Sequence, residues 1–153
     1  MRKTACGLLA AFALACTPLA QAQEHVTQGP MWLMTCYQVS DGQWDSYMTY
    51  LRTHTLPISE ARKKAGLILD AKLFMTGRDG PDGCDLIFAE LHPSAASALD
   101  YSAADDAKDD EIAKAHWAQW DEKAAKEARD ARFAMRRFIS SSMAREVSLK
   151  PIK

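Results

Sequence analysis

Met31–Val39 (MWLMTCYQV) is a nearly unbroken apolar run with aromatics, which predicts a strand buried on both faces. Ser40-Asp41-Gly42 reads as a turn and helix cap. From Gln43 the inward positions fall at Trp44, Tyr47, Met48, Leu51, Thr55, Ile58, Ala61 and Ala65, the three-and-four spacing of one helix face. Pro57 should kink that helix, because it removes a backbone donor, and Gly66 should end it. Leu67–Thr76 alternates as a second strand, Gly77–Gly83 (GRDGPDG) is a turn, and Cys84–Leu91 (CDLIFAEL) completes a hairpin. Ala95–Arg136 is alanine-rich and charged, hence helical, with a joint expected near Tyr101–Asp106. Its apolar stripe runs through Ile112, Ala113, His116, Trp117, Trp120 and Ala124. Phe138, Ile139, Met143 and Val147 suit a fourth strand over Arg137–Leu149. Residues 23–30 read as a polar lead-in and residues 150–153 as a tail.

The order strand, helix, strand, strand, helix, strand predicts an α+β domain over residues 31–149. The expected form is ferredoxin-like βαββαβ, an antiparallel four-stranded sheet with two helices on one face. The strands are too apolar for the other face to meet water. A second copy is the simplest cover, so the sequence predicts a homodimer. Asp70 and Lys72 are the exceptions; an outer strand accommodates them, since charges protect sheet edges.

The N-terminus changes the picture of where this domain works. Arg2 and Lys3 precede the uncharged, mostly apolar stretch Thr4–Ala20, and Ala20-Gln21-Ala22 offers small residues before Gln23. That is the layout of a signal peptide over residues 1–22, cleaved between Ala22 and Gln23, and it implies a bacterial periplasmic or secreted protein. An uncleaved anchor and a lipid on Cys16 are the rival readings; for the second, Ala13-Leu14-Ala15 is a poor context. No later segment has the length of apolar chain needed for a span, so no stable membrane insertion is expected after cleavage. Cys6 and Cys16 lie in the leader, leaving Cys36 and Cys84 either as one bridge or as two buried thiols. Of the 153 residues 48% are hydrophobic, and the formal net charge is -1. The first figure excludes wholesale disorder and the second argues against a nucleic-acid partner, which needs a basic face.

The segment Thr55-Leu56-Pro57-Ile58-Ser59-Glu60-Ala61-Arg62-Lys63-Lys64-Ala65-Gly66, with the strand pair around the Gly-Pro-containing turn, resembles the dimeric α+β barrel superfamily. The likeness is to a poorly characterised group of exported bacterial members, and it spans most of residues 31–149 as pattern. It implies pairing into a dimeric α+β barrel. It also implies a choice of activities: cofactor-free oxygenation of aromatic compounds, haem binding or degradation, isomerisation of small acids, or ligand sensing. Residues 101–116 look like a local expansion of that pattern.

The residues narrow this choice only a little. The chain has no asparagine, which the oxygenase members typically use to hold substrate or oxygen. His25, His54, His92 and His116 include no pair three or four apart, so no helix presents a ready metal site and none is expected. His25 belongs to the lead-in, and His92 beside Pro93 reads as a turn residue. His54 and His116 border apolar helix faces; either could ligate a haem iron, act as acid or base, or sit at the rim of the core. Trp117 and Trp120 could wall an aromatic ligand pocket with Trp44 and Tyr47, or simply fill the core. Asp79–Glu90 begins and ends like a calcium loop, but Pro81, Gly83 and Cys84 occupy positions where ligands and the turn glycine belong. Asp105–Glu111 is a solvated helix start rather than a cation site, and Ser140-Ser141-Ser142 lacks any nucleophile context. The expectation is an exported dimer that binds a small hydrophobic or aromatic molecule. An aromatic-directed oxygenase or isomerase and a haem binder are the alternatives; no cofactor is otherwise expected.

Overall fold

The computed structural model describes residues 25–152 other than 78, 79 and 81. The signal-peptide reading, its cleavage point, the Cys16 lipid and part of both the Gly77–Gly83 turn and the Asp79–Glu90 loop lie outside the described residues. The chain is α+β with one four-stranded antiparallel sheet. Its strands are β1 (Val26–Val39), β2 (Asp70–Met75), β3 (Leu86–His92) and β4 (Arg136–Leu149), in the order β2-β3-β1-β4. Between β1 and β2 run α1 (Trp44–Tyr50), a π-helical turn (Leu51–Thr55) and α2 (Leu56–Lys64). Between β3 and β4 run α3 (Ala95–Leu99), α4 (Ala103–Trp117) and α5 (Glu122–Met135).

β1 starts at Val26, so most of the expected lead-in is strand. Val26 pairs with Leu149 and Gln28 with Val147, and the register shifts between Gln28 and Met31. Gly29 and Pro30 occupy that shift. Proline has no ladder donor to lose there, and a Cβ on Gly29 would stand 3.1 Å from the Glu146 carbonyl oxygen. At the far end of the ribbon the Lys150 N–H donates to the His25 carbonyl at 2.9 Å. The polar composition of residues 23–30 concealed this pairing, because a two-stranded ribbon needs no apolar alternation.

The long helical stretch breaks twice rather than once. Ser102 caps α4 by accepting from the Asp105 N–H, and Asp121 caps α5 by accepting from the Ala124 N–H. These local side-chain acceptors compete with helix continuation. Trp120 therefore lies in the intervening turn instead of on a continuous stripe.

Alternation along the strands sends Tyr37, Val39, Leu73, Leu86, Glu90 and His92 toward one face. There Val39, Leu86, Tyr47, Tyr50 and Leu51 form the buried cluster, with Met48, Trp117 and Met135 packed against it. Arg136 ties this core to β4: its guanidinium donates to the Tyr47 hydroxyl at 2.8 Å and lies 3.6 Å from the Tyr37 ring centre. The opposite face carries Trp32, Met34, Cys36, Phe74, Ile87 and Leu91. None of these is buried, and Phe74 is 46% exposed. On that face Cys36 is disulfide-bonded to Cys84, their Cα atoms 5.6 Å apart. Cys84 sits just ahead of β3 rather than within it. Asp70 and Lys72 lie on the outer strand β2, 3.5 Å apart, with Lys63 also 3.5 Å from Asp70.

Candidate functional site

The π-helical turn follows from Pro57. A proline ring clashes with the carbonyl four residues earlier, here Thr53, and cannot donate to it. The helix widens ahead of the ring, and the Leu56 N–H reaches back to the Leu51 carbonyl. Such widened turns are frequent at functional positions. This one carries His54, which is only 7% exposed.

His54 meets His116 from the last turn of α4. The His54 Nδ1 and His116 Nε2 atoms are 3.1 Å apart, so one ring donates to the other. Tyr50, Trp117 and Trp120 surround the pair. The Trp117 ring stacks on His54 at 4.6 Å, and Trp120 lies 4.9 Å from His54 and 4.7 Å from His116. Burial pushes the His54 pKa down, and the His116 ring beside it pushes in the same direction. Burial also lowers the His116 pKa. The position of His116 at a helix C-terminus would favour its cation, but loss of water outweighs that. With both rings neutral, one hydrogen satisfies the facing nitrogens. A proton on each of those nitrogens would break the bond.

Trp117 and Trp120 also line a groove of about 590 Å³ with Ala113, Ala125 and Arg129. The Arg129 guanidinium lies 5.1 Å from the Trp117 ring centre. The two indoles therefore touch the groove on one side and the imidazoles on the other. Of the six ligand-site residues expected from sequence, four come together: His54, His116, Trp117 and Trp120. Tyr47 is fully buried in the core beside them, its hydroxyl held by Arg136. Trp44 stands apart in a small cleft with Val39, Ser40 and Asp85.

A second constellation went unread in the sequence. The Arg62 side chain on α2 bonds Glu90 of β3, and its Nε lies 2.8 Å from an Asp109 carboxylate oxygen of α4. Burial raises the Glu90 pKa, Arg62 opposes that rise, and Asp109 adds to it. Beside Pro93 the sequence suggests a turn for His92, yet it is the last residue of β3 and is buried, at 6% exposure. Its pKa is lowered by burial and then by Arg62, with a weak interaction at the Ser97 backbone acting the other way. The available signal was Glu90 itself. A carboxylate alternating inward in CDLIFAELH requires a buried cation, and Arg62 lies on the inner face of the helix before it.

Among the described residues no group of three or more His, Cys, Asp or Glu is placed to hold a metal ion. No helix among them is long and apolar enough to cross a membrane. Comparison with known proteins finds no matching family model, no similar curated protein and no similar solved structure.

Proposed function

We propose that this protein is an exported homodimer that binds a small aromatic or hydrophobic molecule in the groove at Trp117 and Trp120. The observation that carries the reading is the His54–His116 hydrogen bond sealed behind two indoles that line a largely apolar groove. Flat apolar walls suit an aromatic ring, and a few placed polar groups orient it. Arg129 over Trp117 adds a cation at the rim for an acidic or phenolic substituent.

The domain is proposed to be ferredoxin-like. Two right-handed crossover units would interleave: β3 lies between the parallel strands β1 and β2, and β1 between β3 and β4. The dimeric barrel follows from the unburied apolar face of Trp32, Met34, Phe74, Ile87 and Leu91, which a second copy of that face would cover. Export accords with the Cys36–Cys84 disulfide, which persists in oxidising compartments.

Titration with 2-naphthol tests the ligand reading. Saturable quenching of tryptophan emission, lost in Trp117→Ala/Trp120→Ala, is expected; no saturation, or saturation unchanged in the variant, refutes it. Light scattering on the cleaved protein at micromolar concentration should return twice the chain mass, and the single-chain mass refutes the dimer. A second reading, an oxygenase or isomerase using the pair as acid and base, draws on the hydrogen bond between two buried imidazoles. Turnover of any aromatic substrate surviving His54→Gln/His116→Gln would remove it. Haem ligation would require the pair to part, and hemin titration with no Soret change disposes of it.

A further inference from the structure

A separate cavity of about 340 Å³ lies among the C-terminal end of α2, the end of β3, and helices α3 and α4. His92 lines it. This imidazole is more than nine-tenths buried, yet neither ring nitrogen makes a hydrogen bond of normal geometry. Leaving such a group unpaired costs free energy comparable to a lost hydrogen bond. A neutral imidazole offers one N–H and one lone pair, so a molecule in the cavity could satisfy either.

The charge around that ring is one-sided. Glu90, Asp100, Asp105, Asp106 and Asp109 line the cavity, against the single guanidinium of Arg62. Arg62 is already engaged by Glu90 and Asp109. Lys108, outside the cavity, reaches Asp105 at 3.4 Å. Asp100 and Asp106 have no cationic partner among the described residues. The carbonyl end of α2, closed by Gly66 at φ +76°, adds partial negative charge at the same place. An anionic ligand would meet repulsion from these carboxylates, with the one lining guanidinium already engaged. A bare metal ion would find its carboxylates dispersed, since no three donors among the described residues converge.

We infer that this cavity is a binding site for a small organic cation, an ammonium compound whose N–H donates to the His92 lone pair while Asp100 and Asp106 supply the charge at the mouth. The site shares no lining residue with the tryptophan groove. Its occupant would be chosen by charge and hydrogen bonding, where the groove selects for flat apolar shape. Arg62 acts here as a positioning residue: it holds Glu90 and Asp109 in place and keeps the cavity floor from carrying unpaired carboxylates.

Three molecules with the same four-carbon frame test this: putrescine, 1,4-butanediol and succinate, doubly positive, neutral and doubly negative. Calorimetry on the oxidised protein at low salt should show saturable binding of putrescine alone, with the His92 Cε1–H resonance moving along the same isotherm. Asp100→Asn/Asp106→Asn should weaken binding about tenfold or more with the fold unchanged, and His92→Phe should abolish it. Because His92→Phe replaces a buried polar ring by an apolar one, its urea midpoint should equal or exceed that of the parent. Equal binding of butanediol or succinate overturns the inference. So does putrescine binding that leaves the His92 resonance still, or that survives His92→Phe or the double Asn substitution undiminished.

Discussion

Acid should destabilise this protein through its buried histidines, and the steepest slope can be worked out in advance. His54, His92 and His116 are each less than a tenth exposed and each has a lowered pKa in the fold. A histidine in the unfolded chain takes its proton near pH ~6.5. Below that value the unfolded state binds protons that the folded state refuses, so stability falls as pH falls, down to the folded pKa of each group. Each such site contributes at most about 1.4 kcal/mol per pH unit, so three give about 4 kcal/mol per unit at the steepest. Glu90 works in the opposite sense. Its folded pKa is raised, so the native state gains a proton before the unfolded state does, and the slope softens as pH approaches the carboxylate range. Against a typical domain stability of about 5–15 kcal/mol, a slope of that size, acting until pH passes each folded pKa, is large enough to be read as a falling urea midpoint below neutrality. Urea titrations followed by circular dichroism at half-unit steps from pH 7.5 to 4.5, disulfide intact, measure the slope directly. His54→Gln/His116→Gln should remove about two thirds of it. A flat profile between pH 7 and 5.5, or a slope untouched by that double variant, would refute the claim that these rings are held neutral by burial.

Other outcomes follow from the same contacts. Removing the Cys36–Cys84 bond by a double serine substitution frees a loop of 48 residues and should cost about 4 kcal/mol on the chain-entropy estimate, read as the shift in urea midpoint against the oxidised parent. Arg136→Met should cost about 1–3 kcal/mol, because the buried Tyr47 hydroxyl loses its donor, and Arg136→Met/Tyr47→Phe should recover part of that loss in a double-mutant cycle. Glu90→Ala should destabilise more than Glu90→Gln, since it leaves Arg62 facing a cavity, with thermal denaturation separating the two.

Much of the architecture was readable in the sequence because periodicity reports burial. The apolar run of 31–39, the alternation of 67–76, the apolar stretch 84–91 and the three-and-four spacing from Trp44 to Ala65 suffice for the α+β reading. What escaped was set by tertiary partners. Residues 26–30 are strand only because 145–149 lie beside them. The break at Ala118–Asp121 depends on Asp121 preferring its own local N–H acceptor role to a continuing helix, and composition alone reads through it. His54 and His116 are individually visible as histidines near apolar faces. Their 3.1 Å approach joins residues 62 apart and depends on how a proline-widened turn meets the end of α4. Tyr47 and Trp44 share the apolar helix face by count, but Tyr47 is taken up by the core and Arg136, and Trp44 by the cleft at Val39, Ser40 and Asp85.

The hydrogen bond from Lys150 to His25 brings the two ends of the sheet ribbon side by side. A short glycine linker could therefore join them, and the chain could be reopened in the exposed turn at Ala118–Gln119 without severing any strand. A circular permutant built this way would begin at the caps of α5 and end on α4, yet inherit every pairing in the sheet. Its folding would ask whether the architecture resides in which strands lie together, irrespective of the order in which synthesis delivers them.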